Sequence, residues 1–311
     1  MGNDRGVSLV TGGAGFIGSE LVRQLLDNGE SVVVYDNFSF GRVDNLPDSQ
    51  RLSVVRGDIR DQDQLFRTFE EYSPEVVYHL AAIHFIPYCI AHPQEAIQVN
   101  VEGTLNVFEA CKSINVKAVI YASTAAVYPV KDRPHTEEDP PQPIEIYGAT
   151  KLFGEELLRI FHEETGVKCA AARLFNGYGR RETNPHVIPD ILEQIPKGNK
   201  IHLGNVEPKR DFIHTSDISR AFRKMAESGE YGYEIFNVGT GIERSVREVV
   251  ETISKLLERP LEIVIDEERK RKVERMHLVP DISKIKSIIG WSPQVSFEDG
   301  FRDMLESVGL L

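Results

Sequence analysis

Val7-Ser8-Leu9-Val10-Thr11-Gly12-Gly13-Ala14-Gly15-Phe16-Ile17-Gly18 is the stretch from which the rest of this chain can be read. Val7 to Val10 reads as a short buried strand, and a helix is expected from Ser19 to Asn28. A second strand, Ser31 to Tyr35, ends at Asp36. Glycines at 12, 15 and 18 let the backbone turn tightly, approach a pyrophosphate and pack the helix on the sheet. The helix start offers free N–H groups and a partial positive charge to phosphate. Asp36 follows Gly18 by 18 residues, where a carboxylate can accept both ribose hydroxyls. Strand, glycine turn, helix and acid in this order point to a bound dinucleotide. Asp36 favours NAD over NADP, because it repels a 2′-phosphate. Arg42 is close enough in sequence to soften that preference and otherwise reads as a surface residue.

Strands continue to alternate with helical patterns. Leu52 to Asp58 reads as a third strand, with Asp58 at its end where an adenine amino group could be held. A helix fits Asp61 to Tyr72, a fourth strand Glu75 to Leu80, and one long helix Pro93 to Ile114. Lys117 to Ser123 is a fifth strand, Tyr147 to Thr165 a helix, and Val167 to Leu174 a sixth strand. This rhythm predicts an α/β fold, a Rossmann-type doubly wound parallel sheet with ligand at the strand C-termini. After Phe175 the rhythm breaks. Asn176 to Arg210 reads as irregular apart from a helix at Val187 to Ile195. A helix at Val246 to Leu257 and a strand at Leu261 to Ile265 follow. The expected division is a dinucleotide-binding domain over residues 1–175, with a later return of the chain near 211–240. A smaller substrate lobe then occupies mainly 176–311.

Composition narrows the function classes. The 311 residues carry a net charge of −12, with 41% hydrophobic and 27% charged residues. That balance is ordinary for a soluble globular protein and makes nucleic acid or an anionic membrane a poor main partner. Cys89, Cys111 and Cys169 form no CxxC pair, which fits a reducing cytoplasm and no metal cluster. No apolar stretch is long enough to span a bilayer, and the first apolar run is the first strand instead of a signal peptide. The basic run Arg269-Lys270-Arg271-Lys272 reads either as local positive charge for an anionic substrate or as a solvated face.

Tyr147-Gly148-Ala149-Thr150-Lys151 places a phenol and an ammonium on one helix face. A nearby ammonium favours the phenolate and lowers the tyrosine pKa toward that of a useful base. Alone, such a pair is more readily a surface helix pair. Ser123-Thr124 ends the fifth strand, where a hydroxyl would sit beside the cofactor or merely cap a loop. Glycine turn, hydroxyl and Tyr/Lys pair together favour catalysis.

With these residues in place the chain resembles the extended short-chain dehydrogenase/reductases, the family of nucleotide-sugar epimerases, dehydratases and decarboxylases. The resemblance rests on Thr11 to Gly18, Asp36-Asn37, Gly57-Asp58, His79-Leu80-Ala81-Ala82, Asn100-Val101-Glu102-Gly103-Thr104, Ser123-Thr124 and Tyr147-x-x-x-Lys151. Further along it rests on Arg173 to Gly179, Arg210-Asp211-Phe212-Ile213-His214-x-x-Asp217, Asn237-Val238-Gly239, Asp281-x-Ser283-Lys284 and Gly290-Trp291-x-Pro293. It implies Tyr147 as acid/base, Lys151 as its pKa partner and ribose anchor, and Thr124 as the hydroxyl on the reacting sugar oxygen. It implies NAD held by Gly12, Gly15, Phe16, Ile17, Gly18, Asp36, Asn37, Asp58, Ile59, Leu80, Ala81, Ala82, Asn100, Tyr147 and Lys151. Asn100 is read as a structural and proton-relay residue, or as a helix-supporting hydrogen bond alone. Substrate is expected on His84, Ser123, Thr124, Asn176, Val187, Arg210 and Arg271, the last two serving the nucleotide and its phosphates. The usual glycine near Arg271 is absent.

Two departures from the family bear on the reaction. Its dehydratases carry Asp-Glu after the active-site threonine, and its decarboxylases a Glu two residues on; here stand Ala125 and Ala126. That looks like the 4-epimerases, unless a carboxylate comes from elsewhere. His84 stands where hexose epimerases usually place a lysine, and it reads either as packed over the cofactor or as a substrate contact. His186 is read as substrate-adjacent. The resemblance therefore implies an NAD-dependent nucleotide-diphosphate-sugar 4-epimerase, UDP-linked by preference, cytoplasmic and homodimeric. A decarboxylase, 4,6-dehydratase or keto-sugar reductase of the same family stands as the alternative, with a non-catalytic NAD-binding regulatory protein as another.

Overall fold

The computed structural model describes residues 5–182, 184–269 and 275–311. Among the described residues, twelve strands follow one another along the chain: β1 (Arg5–Thr11), β2 (Glu30–Asp36), β3 (Leu52–Arg56), β4 (Val76–His79), β5 (Ala118–Thr124), β6 (Lys168–Leu174), β7 (Asn176–Tyr178), β8 (Lys200–Leu203), β9 (Lys209–His214), β10 (Tyr233–Val238), β11 (Glu243–Ser245) and β12 (Glu262–Ile265). Seven form one sheet in the order β10-β6-β5-β4-β1-β2-β3, with every pairing parallel. Strand order reverses between β1 and β4, and such a switch point opens a crevice at the strand C-termini.

Both faces of the sheet are covered, so the central strands are apolar on alternate sides. Leu9 and Val33 point into a core with Phe69, Phe108 and Phe161. Val10 and Val34 point into the opposite core with Leu21, Phe222 and Trp291. This explains the near-continuous apolar runs of the parallel strands. A third core, built on Ile191, Ile201, Val249 and Phe301, lies among the C-terminal elements. There β9 pairs with β7 in parallel and with β11 antiparallel, and β12 pairs with β8.

Local signals set the element ends. Asp61 caps the helix Gln62–Tyr72 through the Gln64 N–H at 3.0 Å, and Ser245 with Glu248 forms a capping box for Val246–Leu256. The helix after the glycine turn begins at Phe16, not Ser19, and runs to Asp27. The segment 176–210 is more regular than expected, since it contains β7, β8 and the start of β9 besides the helix Val187–Gln194. Its strands are short and pair only with distant segments. The loop after β4 is also helical, over Ile86–Ala91.

The single long helix expected from Pro93 to Ile114 is instead Pro93–Ile97, a π-helical turn at Gln98–Gly103, and Thr104–Lys112. The wide turn is held from outside the helix as well as within it. Thr104 donates its hydroxyl to the Asn100 carbonyl at 2.7 Å. With that proton spent, His79 Nε2 donates to Thr104 Oγ1 at 2.9 Å and His79 Nδ1 accepts from Thr11 Oγ1 at 2.7 Å. Burial holds His79 well below the usual histidine pKa, as this neutral bridging role requires. The ends of β1 and β4 and the π-turn are thereby tied together under the crevice.

Candidate active site

A cleft of about 1270 Å³ opens at the switch point, large enough for a dinucleotide together with a second ligand. At one end the glycine turn is packed without slack. A Cβ on Gly12 would lie 2.7 Å from the Ala81 nitrogen, and one on Gly18 would lie 2.2 Å from the Gly12 carbonyl oxygen. Gly12 also sits at φ +70°, so its lack of a side chain is required twice over. The helix Phe16–Asp27 has no side-chain cap, which leaves its first N–H groups to a ligand. Asp36 is buried; its Oδ2 accepts from Ala14 N at 3.0 Å and its Oδ1 from Phe38 N at 2.8 Å. Burial raises its pKa, and those two N–H groups oppose the rise. Arg42 is exposed and pairs with Asp44 at 3.8 Å. Next along the wall, Asp58 accepts from Asn37 Nδ2 at 2.9 Å and pairs with Arg60 at 2.7 Å, which holds its pKa low. Glycine cradle, open helix start and buried acceptor fit NAD.

Of the residues expected to hold the cofactor, Gly12, Gly15, Phe16, Ile17, Gly18, Asp36, Asn37, Asp58, Ile59, Leu80, Ala81 and Ala82 all line this cleft. Asn100 lies behind its wall instead. Its amide oxygen accepts from Ile83 N at 2.8 Å, and its nitrogen donates to Ile83 O at 2.9 Å and Thr150 Oγ1 at 3.1 Å. Every donor it has is engaged within the protein.

Thr124, Tyr147 and Lys151 line the cleft beyond the Ala81-Ala82 turn. Thr124 ends β5, and Tyr147 and Lys151 share the first two turns of the helix Ile146–Thr165. Tyr147 accepts a different electrostatic description from the one its spacing suggested. Burial pushes its pKa up, and the side chain that opposes this is Thr124, by a hydrogen bond, not Lys151. Lys151 is itself 2% exposed and brought down to about 7 by burial, with Glu155 pulling the other way. The ammonium is desolvated against the Tyr121 ring, 4.1 Å from its centre.

The expected substrate residues divide. His84, Asn176 and Arg210 line the cleft. Ser123 also borders it, but the residue is buried and its hydroxyl donates to Glu155, which Arg173 grips through two hydrogen bonds of 3.0 and 2.7 Å. Val187 packs against the C-terminal core, and its neighbour His186 lines the cleft. Arg271 lies outside the described residues. His84 receives a hydrogen bond from Asn184 Nδ2 on Nε2 at 2.9 Å, and burial lowers its pKa to about 4. It is a neutral imidazole at neutral pH. Among the described residues no group of three or more His, Cys, Asp or Glu is arranged to hold a metal ion.

The family model described as GDP-mannose 4,6-dehydratase matches residues 9–304. The chain belongs to this family. The UDP-glucose 4-epimerase of Mycolicibacterium smegmatis is 34% identical over 310 residues, covering 96% of this chain and 97% of its own. A UDP-N-acetylglucosamine 4-epimerase from Methanobrevibacter ruminantium, solved with UDP-N-acetylmuramic acid, has a TM-score of 0.89 at 33% identity and covers 98% of each chain. The Thermus thermophilus UDP-glucose 4-epimerase, solved with NAD, has a TM-score of 0.89 at 31% identity, covering 98% of this chain and 100% of the other.

This family member also places Glu145, Glu182 and Arg275 in the cleft, none of which sequence reasoning singled out. Glu145 had a local signal: it precedes the catalytic-type helix and caps it, accepting from Tyr147 N at 2.7 Å and Gly148 N at 2.9 Å. Glu182 and Arg275 had none, because they reach the cleft from segments far along the chain.

Proposed function

We propose that this protein is an NAD-dependent nucleotide-diphosphate-sugar 4-epimerase acting on a UDP-sugar. The observation that carries the reading is the convergence of Thr124, Tyr147 and Lys151 on the cleft that also holds the glycine turn and Asp36. NAD, when bound, supplies the reversible hydride acceptor for C4 of the sugar. Tyr147 holds the proton of the 4-hydroxyl at its phenolic oxygen, and Thr124 orients that phenol by hydrogen bonding. The Lys151 ammonium, buried one turn on, adds positive charge to the same wall and a donor for the ribose. Asn176 and Arg210 take the diphosphate, so that the sugar turns over while the nucleotide stays anchored. Buried Ala125 follows Thr124, and Ala126 comes next; neither offers the proton carrier that elimination or decarboxylation would use at that point.

Residues 1–175 with the return near 211–240 serve the cofactor in this reading, and 176–311 mainly the substrate. A homodimer is part of the proposal. Ile97 and Leu105, 41% and 43% exposed, and Phe153 and Ile160, 52% and 41% exposed, mark apolar faces on the helical segments 93–112 and 146–165. Such faces suit a self-complementary two-fold contact. A cytoplasmic location and a role in carbohydrate metabolism follow from the substrate class. No helix among the described residues is long and apolar enough to cross a membrane.

The test is NMR of the NAD-loaded protein with UDP-hexoses, UDP-N-acetylhexosamines and UDP-uronates. Epimerisation conserves mass and leaves no net NADH. Release of CO₂, loss of water or net cofactor consumption would assign the decarboxylase, dehydratase or reductase instead. Inactivity across the panel with NAD bound would leave a non-catalytic NAD-binding protein.

A further inference from the structure

One contact bridges the cofactor end of the cleft. Phe40, on the loop after β2, meets Tyr88, on the helix Ile86–Ala91 after β4, edge to face with ring centres 5.9 Å apart. In the sheet β1 lies between β2 and β4. Both rings line the cleft, so their contact spans the C-terminal end of β1, which carries the glycine turn. Phe40 is 37% exposed, which puts the bridge at the solvent edge.

Tyr88 is also fixed within its own segment. The His92 ring packs on it with centres 4.3 Å apart, and its hydroxyl donates to Glu95 Oε2 at 2.8 Å. Glu95, on the helix Pro93–Ile97, acts electrostatically on Arg60. Arg60 pairs with Asp58, and Asp58 accepts from Asn37. Asn37 stands three residues before Phe40, so the interactions return to their starting point. Phe40, Tyr88, Glu95, Arg60, Asp58 and Asn37 all line the cleft.

The Phe40 loop is held at both ends. Phe38 takes a left-handed backbone at φ +60°, a strained conformation for a bulky residue. Its N–H donates to Asp36 Oδ1 at 2.8 Å, and the Arg56 guanidinium stands 5.7 Å from its ring centre. Gly41 backs onto the glycine turn, where a Cβ would lie 2.8 Å from the Ala14 carbonyl carbon. Arg42 N donates to Ala14 O at 3.1 Å. Asp36 and Ala14 belong to the cofactor cradle, so the tip that carries Phe40 is anchored to the cradle itself.

We propose that Phe40 and Tyr88 form a clasp that retains NAD in the cleft and must open for the cofactor to exchange. The inference requires the cofactor alone and goes beyond the epimerase reading; within that reading the clasp keeps one cofactor in place through both hydride transfers. In a clasp the favourable contact is ring on ring, so its loss lowers the barrier to entry and to exit alike.

The experiment loads wild type, Phe40→Ala, Tyr88→Ala, Tyr88→Phe and the double alanine variant with NAD. It follows replacement of bound NAD by isotopically labelled NAD after rapid filtration. Stopped-flow fluorescence gives the association rate and calorimetry the Kd. Each alanine variant should release NAD ~3–10-fold faster, the scale of one aromatic pair. Uptake should accelerate by a similar factor, with Kd within about 2-fold of wild type. The double variant should match the singles, because the first substitution already removes the contact. Tyr88→Phe keeps the ring and loses only the Glu95 bond, so its release should stay within about 2-fold of wild type. Unchanged release in the alanine variants overturns the proposal, as does a double variant that multiplies the two effects. Faster release with unchanged uptake and a Kd weakened in step also overturns it, because the rings are then ordinary ligand contacts. Should an alanine variant fail to fold, Phe40→Leu decides in its place: it keeps an apolar tip without the ring, and wild-type exchange in it sinks the clasp. The exchange assay contains no sugar, so its outcome is independent of whether the protein epimerises.

Discussion

The Lys151 ammonium lies 4.1 Å from the centre of the Tyr121 ring, with the Glu155 carboxylate as the charge that holds it up against desolvation. Glu155 is shared, because the Arg173 guanidinium grips it from the other side. A lysine poised in this way sits at about 7, far from its ordinary 10.5, so burying its charge costs stability in the cofactor-free fold. The unfolded chain binds the extra proton between about pH 7 and 10.5, so this cost is complete at pH 7 and fades as pH rises. Lys151→Met is expected to melt ~3–8 °C higher than cofactor-free wild type at pH 7. The gap should close toward pH 10, and activity should be lost throughout. Thermal melts across that range check it.

Tyr147→Phe keeps the ring packing and removes the phenolic oxygen. Turnover should fall by ~10²–10⁴ while bound NAD and melting temperature stay as in wild type. Thr124→Val, which removes the hydroxyl that draws the Tyr147 pKa down, should cost ~10–100-fold in kcat with a smaller change in KM. Near-normal turnover of the phenylalanine variant in the NMR assay would rule out Tyr147 as the acid/base.

The cofactor cradle separates steric from electrostatic requirements. Gly18→Ala drives a Cβ to 2.2 Å from a backbone oxygen, whereas in Gly15→Ala the nearest atom is at 3.2 Å. The first variant is expected to purify without NAD and the second to retain it with reduced affinity. Asp36→Asn removes the charge at nearly constant shape and should weaken NAD by ~10–100-fold while narrowing the preference over NADP. Cofactor content after purification and fluorescence titration measure both effects.

His84 and His135 are each brought to about 4 by burial, from 6.5. Their contribution to stability is complete above pH 6.5 and is lost as pH falls toward 4, because the unfolded chain protonates first. Melting temperature should decline over that interval, and His84→Gln should make the decline shallower. The same variant should leave the pH profile of turnover unchanged between pH 6 and 8, since His84 is neutral there. An inflection near pH 6.5 that disappears in the variant would contradict this assignment.

What could be read from sequence was local. Gly12, Gly15, Gly18 and Asp36 lie within one βαβ unit, whose geometry allows few arrangements, so their spacing already defines a phosphate cradle and an acceptor. Tyr147 and Lys151 lie one helical turn apart for the same reason. The π-turn at 98–103 was hidden because it depends on Thr104, His79 and Thr11 meeting across 93 residues. Ser123 looked like a cleft hydroxyl, yet its partner Glu155 is 32 residues on and turns it inward. Val187 and His186 are neighbours, and periodicity alone did not tell which of them faces the cleft and which the core.

By itself the sequence determined the parallel α/β sheet, the dinucleotide cradle, the preference for NAD and the family, because these rest on short-range spacing and ordered motifs. Tertiary structure decided the electrostatics. It desolvated Lys151 and Tyr147, neutralised His84, and brought Glu145 and Glu182 to the wall of the same cleft. Burial and long-range approach set those charges, and neither is written in the distance between residues along the chain.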